Sequence, residues 1–196
     1  MPSLRRICVY CGSRLGSRPI YAEAARATGR VLAARGTEVV YGGGDIGLMG
    51  ELADATLAAG GHVIGVITRS LLEWEVGHGG VSELRVVETM HERKALMADL
   101  SDGFLALPGG FGTLDELLET LTWAQLGIHT RPCGLWNVEG FFDPLLGMLD
   151  HAVSEGFLSA AHRRLVLQGT ELEPLLADLE GYTASPVDRK VERRIR

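Results

Sequence analysis

Short apolar runs alternate with longer stretches of helical periodicity along almost the whole chain. Arg5 to Cys11 reads as a strand, Pro19 to Arg35 as a helix with proline in its first turn, and Thr37 to Tyr41 as a second strand. Ile46 to Ala59 reads as a helix ended by Gly60-Gly61, and His62 to Thr68 and Leu84 to Glu88 as strands around a polar, glycine-containing loop. Thr89 to Leu100 reads as a helix that Thr89 and Glu92 open with a capping box. A strand at 103–107 then leads to a helix at 114–127, Cys133 to Trp136 is another strand, and Phe141 to Glu155 is a helix closed by Gly156. A short strand near Leu165 to Leu167 and a helix from Glu171 to Glu180 end the pattern.

Strand and helix taking turns throughout implies parallel pairing with helices on both faces, so the expected architecture is an α/β, doubly wound, Rossmann-like parallel sheet. Ligands of such sheets bind outside the carboxyl ends of the strands. Three glycine-bearing loops leave strands at that edge: Gly12-Ser13, Gly42-Gly43-Gly44-Asp45, and Pro108 to Thr113. Each alone is an ordinary turn as readily as a ligand contact, and none completes a P-loop or the dinucleotide fingerprint. Their expected convergence on one edge favours a ligand.

Composition narrows the classes. A chain of 196 residues with 46% hydrophobic content and no linker-like stretch is expected to form one domain over residues 1–181. The segment 182–196 is basic, with five Lys or Arg between Arg189 and Arg196, and reads as a solvated, poorly ordered tail. A net charge of −6 argues against binding a nucleic acid polymer. No run approaches the ~18 apolar residues of a membrane helix, and the run after Arg5-Arg6 is too short for a signal peptide, so a cytoplasmic protein is expected. Cys8 and Cys11 have C-x-x-C spacing but lie on an expected strand, where positions three apart face opposite ways, and no His/Cys/Asp cluster suggests a metal. The remaining His78, His91, His129, His151 and His162 have no catalytic spacing and read as surface or capping groups, and Trp74, Trp123 and Trp136 as core or interface residues.

The most informative segment is Pro108-Gly-Gly-Phe-Gly-Thr-Leu-Asp-Glu116, a glycine-rich turn between a strand and a helix. Glycines admit close approach of a ligand, and the free N–H groups of a helix start attract a phosphate. Glu116 has two readings. It is the last residue of a capping box with Thr113, or it is a carboxylate poised beside the ligand, its charged form favoured by the helix end. Glu119, one turn on, shares that face. Arg93 and Lys94 read either as a solvated pair with Glu92 or as cations at the same mouth, where Arg93 offers a planar fork to a phosphate or ribose oxygen.

Met90-His-Glu-Arg-Lys-Ala-Leu-Met97, Pro108 to Glu116, Thr122-Trp-Ala-Gln-Leu-Gly-Ile-His129 and Tyr41-Gly-Gly-Gly-Asp-Ile-Gly-Leu-Met49 together resemble the LONELY GUY family. These are cytokinin riboside 5′-monophosphate phosphoribohydrolases, often mislabelled lysine decarboxylases. The resemblance runs from Ile7 to about Leu167 and implies hydrolysis of the N-glycosidic bond of a nucleoside 5′-monophosphate, to free base and ribose 5-phosphate, without a cofactor. It implies Arg93 and Glu116 as catalytic residues. Substrate contacts are implied at Glu83, Lys94, Gly109, Gly110, Phe111, Gly112, Thr113, Leu114, Asp115 and Thr122, with Gly12, Ser13, Gly43 and Gly44 as neighbours of the nucleotide. Phe111 and Asp115 stand where many relatives have Tyr and Glu. A homodimer with the site near its interface is also implied. A pyridoxal phosphate decarboxylase would need a Schiff-base lysine, and of the two lysines only Lys94 lies outside the tail. A nucleotide or molybdenum-cofactor carrier would use the same phosphate seat without turnover.

Overall fold

The apolar run near the start of the chain forms β1 (Arg6–Tyr10), and the alternation that follows gives six more strands: β2 (Glu38–Tyr41), β3 (Val63–Thr68), β4 (Glu83–Val87), β5 (Gly103–Ala106), β6 (Cys133–Trp136) and β7 (Val166–Gly169). The computed structural model describes residues 4–74 and 77–184, so the expected tail beyond 184 lies outside the described residues, as does the side chain of Trp74. The strands make one sheet in the order β4-β3-β2-β1-β5-β6-β7, and every pairing is parallel. β3 and β5 are buried along their whole length and β2 nearly so, which is why these segments read as continuous apolar runs instead of alternating ones.

Helices cover both faces. On one, α1 (Pro19–Ala34) and α2 (Gly47–Ala58) bury Ala25, Leu32 and Leu52 over β2 and its neighbours, while α8 (Leu172–Gly181) sets Leu175 and Leu179 against β6 and β7. On the other, α4 (Met90–Asp99) lies on β3 and β4 and α5 (Phe111–Gln125) on β1, and with α6 (Asp143–Ser154) they bury Met97, Leu117 and Leu146 in a second core. The doubly wound reading of the sequence therefore holds. Two short helices, α3 (Arg69–Trp74) and α7 (Ala160–Arg163), were invisible to periodicity because one or two turns carry no repeat. α6 begins two residues later than expected, since Glu139 takes a left-handed backbone (φ 53°) in a 3-10 turn that delays it. Among the described residues no helix is long and apolar enough to cross a membrane.

Strand order reverses at β1: β2, β3 and β4 lie to one side and β5, β6 and β7 to the other. The loops leaving β1 and β5 diverge there, which opens a crevice. The Gly12 N–H donates to the Pro108 carbonyl (3.1 Å), and the Leu48 N–H to the Gly12 carbonyl (3.0 Å), so the loops after β1, β2 and β5 are pinned together at one edge.

Candidate active site

Arg93 and Glu116 meet in that crevice. The capping box of Thr89 and Glu92 fixes the start of α4, and Arg93 on its first turn points inward, 6% exposed. All three guanidinium nitrogens are engaged: Nε donates to the Val66 carbonyl (2.9 Å), Nη2 to the Gly42 carbonyl (3.2 Å) and Nη1 to Glu116 Oε1 (3.1 Å), which leaves one N–H on each Nη. The planar fork thus spans β3, the loop after β2 and α5, which the ammonium of a lysine cannot do. Gly42 is required by this approach, because a Cβ there would lie 2.2 Å from Arg93 Nη2. Gly42→Ala is therefore expected to displace the guanidinium and cut kcat by about 100-fold, checked by steady-state kinetics on variant shown to be folded by circular dichroism.

The start of α5 differs from the sequence reading. The helix opens at Phe111, not at residue 114, with Gly110 as its extended N-cap, so Thr113 lies inside the first turn and does not form a capping box with Glu116. Glycines at 110 and 112 supply no side chain to cap the end, and a Cβ on Gly109 would sit 2.1 Å from Thr113 Oγ1, which lets the turn close tightly. Among the described residues no group accepts from the N–H of Phe111, Gly112 or Thr113, the first intrahelical bond being Leu114 N–H to the Gly110 carbonyl. α4 is closed by side chains; α5 is open to an anion.

Glu116 is accordingly a turn and a half into the helix and 9% exposed. Burial pushes its carboxyl above the ordinary range, while Arg93 pulls it back. The expectation that the helix end would favour its charged form is corrected: desolvation outweighs the dipole, whose effect fades beyond the first turn.

Other expected residues divide into two groups. Gly12, Ser13, Gly110, Phe111, Gly112 and Thr113 line a cleft of ≈ 240 Å³ together with Arg93 and Glu116. Gly43 and Gly44 lie behind it, tied to the next loop by the His78 N–H bond to the Gly43 carbonyl (3.0 Å) and a bridge from Gly44 to Gly77. Lys94 instead faces carboxylates, with Nζ 3.1 Å from Asp115 Oδ2 and 2.9 Å from Glu119 Oε2. Thr122 is exposed a further turn along α5 and bonds the Leu118 carbonyl, and Leu114 is half-buried against the core. Glu83 is not brought to the site within this chain. It begins β4 opposite Ile64, near the amino end of the sheet, and pairs with Arg85. The cleft also holds Gly42, Met49, Leu71 and Met90, which sequence reasoning did not single out. Gly42 was visible as part of the Gly42-Gly43-Gly44 loop, whereas apolar cleft residues carry no signal separating them from core.

Cys8, Cys11 and Cys133 are free and buried, and burial raises all three thiols, that of Cys133 to about 12. His129, expected at the surface, is buried. Trp123 and Trp136 pack against the core as expected.

Fold and site together define a doubly wound α/β protein whose switch-point crevice sets a buried arginine–glutamate pair beside an open, anion-seeking helix end. Comparison with known proteins narrows this. Residues 49–179 match a family model described as "Possible lysine decarboxylase". The chain is 54% identical over 178 residues to the cytokinin riboside 5′-monophosphate phosphoribohydrolase LOG of Oryza sativa subsp. japonica, covering 91% of this chain and 74% of that one. It is 49% identical to a cytokinin riboside 5′-monophosphate phosphoribohydrolase of Arabidopsis thaliana, over 91% of this chain and 84% of that one. Among solved structures, the molybdenum cofactor carrier protein of Chlamydomonas reinhardtii has the same fold at 20% identity, with a TM-score of 0.69 over 90% of this chain and 96% of that one. The chain belongs to the LONELY GUY family of cytokinin riboside 5′-monophosphate phosphoribohydrolases.

The decarboxylase description does not fit the residues. A Schiff base with pyridoxal phosphate forms from a neutral amine. Burial works to lower the pKa of Lys94, but Glu119 and Asp115 outweigh it and hold the ammonium charged. Lys190 lies outside the described residues.

Proposed function

We propose that this protein hydrolyses the N-glycosidic bond of cytokinin riboside 5′-monophosphates, giving free base and ribose 5-phosphate, with Glu116 and Arg93 as the catalytic pair. The observation that carries the reading is the buried Arg93–Glu116 contact (3.1 Å) lining the same cleft as the uncapped end of α5. The names of relatives 54% and 49% identical support the substrate class.

Each part has a physical role. The 5′-phosphate lies on the N–H groups of Phe111, Gly112 and Thr113, which places the sugar next to Glu116. Breaking the C–N bond builds positive charge on the ribose ring, and a carboxylate near the anomeric carbon stabilises that charge and orients or deprotonates the attacking water. Arg93 holds Glu116 and contacts the nucleotide. Gly12, Ser13, Gly43, Gly44, Gly109 and Gly110 form the floor around it, and Leu114 supports the turn from behind. Lys94 sits at the flank with Asp115, and Thr122 lies further along that face.

Because burial raises Glu116, activity that depends on its carboxylate is lost on acidification at a higher pH than the value of about 4.3 for an exposed glutamate. The acid limb of kcat/KM is expected to show that upward displacement. A limb at or below the ordinary value contradicts the assignment.

We infer a homodimer whose shared face adjoins the cleft. Phe111 is 93% exposed, and Leu118, Leu126, Ile128 and Met90 leave further apolar surface on or beside α5 and at the start of α4. Sedimentation equilibrium is expected to give twice the chain mass; a monomer at micromolar concentration contradicts this. We place the protein in the cytoplasm, in keeping with three free cysteines. The function is tested by incubating the protein with isopentenyladenosine 5′-monophosphate, with AMP and with the unphosphorylated riboside. Base release from the monophosphates and not from the riboside is expected, whereas tight binding without release marks a carrier.

A further inference from the structure

One turn beyond Glu116 along α5, a connected set of buried polar groups plays no part in the chemistry described so far. Thr120, 2% exposed, donates its hydroxyl proton to the backbone carbonyl of Glu116 (2.8 Å). A hydroxyl has one proton, so the Tyr10 hydroxyl, 2.9 Å from the same oxygen, is the donor in that second bond. Tyr10 ends β1 and is 3% exposed. The Thr120 carbonyl accepts from His129 Nε2 (3.0 Å), and His129 Nδ1 accepts from the Arg131 N–H (3.2 Å). One ring nitrogen donating and the other accepting requires a neutral imidazole, in line with burial and the nearby Arg131 lowering its pKa.

Ordinary back-bonding of a helical threonine involves only its own helix. Here the same residue is also tied to the central strand of the sheet and to the loop after α5. Such anchoring matters because the ligand-binding end of α5 lacks a side-chain cap, so the rotation of the helix about its axis is set by side-chain contacts along it. Of these, Arg93–Glu116 ties the carboxylate and the Thr120 set ties the backbone of the next turn. At a helix radius of about 5–6 Å including side chains, a rotation of about 10° moves a side-chain end by about 1 Å. A misplacement of about 1 Å costs about 100-fold in rate.

We propose that Thr120, held by Tyr10 and His129, is the positioning residue that sets the rotation of α5 and thereby places Glu116 against the ribose. This rests on the role of Glu116 proposed above. It assigns to the His129 end of the Thr122–His129 segment and to Tyr10 a shared task that neither substrate contact nor core packing describes.

The test compares Thr120→Val, Thr120→Ser, the double variant Tyr10→Phe/Thr120→Val and Glu116→Gln, each measured for kcat, KM and Tm. Thr120→Val is expected to lower kcat about 10- to 100-fold with KM changed by less than about twofold, and Thr120→Ser to keep near-native kcat. Thr120→Val leaves the Tyr10 hydroxyl buried and unpaired, and the double variant removes it. Tm should therefore recover in the double variant while kcat stays low, a separation that a purely structural role does not produce. Native kcat in Thr120→Val, a loss confined to KM, or kcat recovering together with Tm overturns the proposal. Full rate in Glu116→Gln instead overturns the role of Glu116 itself, and the positioning role falls with it.

Discussion

Glu116→Gln is expected to lower kcat by about 10³-fold while leaving KM for the nucleotide within a few-fold. The substitution is nearly isosteric, and the amide oxygen still accepts from Arg93 Nη1, so the contact at 3.1 Å and the packing of α5 are retained. On the proposed role of Glu116, what is lost is the negative charge near the anomeric carbon and the base for water. The proposed phosphate seat on Phe111, Gly112 and Thr113 is made of backbone and is untouched, so the loss is expected to fall on kcat. Steady-state kinetics on the nucleotide, with binding of the intact substrate measured by calorimetry, checks both halves. Equal losses in binding and rate contradict the assignment, because they make Glu116 a binding group only.

Arg93→Met is expected to be the most destabilising single change in the site. It strips the partner from a buried carboxylate and leaves the Val66 and Gly42 carbonyls without the donors that now reach them at 2.9 and 3.2 Å. Breaking a buried pair by removing one partner costs about 3–5 kcal/mol, and in a domain of this size that lowers Tm by about 10 °C. Without Arg93, the largest influence opposing burial at Glu116 is gone and its carboxyl stays protonated to higher pH, so activity is expected to fall even where the variant remains folded. Arg93→Lys retains the charge but not the fork and is expected to recover part of the Tm and little of the rate. Thermal denaturation followed by circular dichroism, alongside activity below the new Tm, measures both effects. A change in Tm of less than about 2 °C contradicts the picture of a guanidinium bonded through all three nitrogens.

The sequence was legible wherever a signal repeats or a local rule applies. Strands β1 to β7 and the longer helices followed from hydrophobic runs and periodicity, and the Thr89–Glu92 capping box appears as read. The convergence of the loops after β1, β2 and β5 followed from parallel topology, and the hydrogen bonds of Gly12 to Pro108 and Leu48 realise it.

What escaped depends on contacts between distant segments. The Thr113–Glu116 spacing satisfies a local capping rule, but Gly110 lets the helix start earlier, so tertiary packing rather than the cap decides the role of Glu116. Its raised pKa arises from burial, which no local pattern reports. Gly42 is needed because of Arg93, 51 residues away. Glu83 carries no periodic or turn signal of its own, and its position at the amino end of β4 is set by pairing with β3. His129 read as a surface group because a lone histidine after a glycine turn gives no hint that its ring packs at a tilt against Phe104, with ring centroids 5.2 Å apart.

Hydrolysis of a nucleotide's glycosidic bond at the buried Glu116 is the reaction proposed above for this crevice. The most direct measurement is the stoichiometry of products from isopentenyladenosine 5′-monophosphate in phosphate-free buffer, wild type beside Glu116→Gln, with base and ribose 5-phosphate quantified by chromatography. Equimolar base and ribose 5-phosphate from the wild type, and almost none from the variant, is the predicted result. Absence of both products with the wild type, or equal release by the variant, contradicts the account.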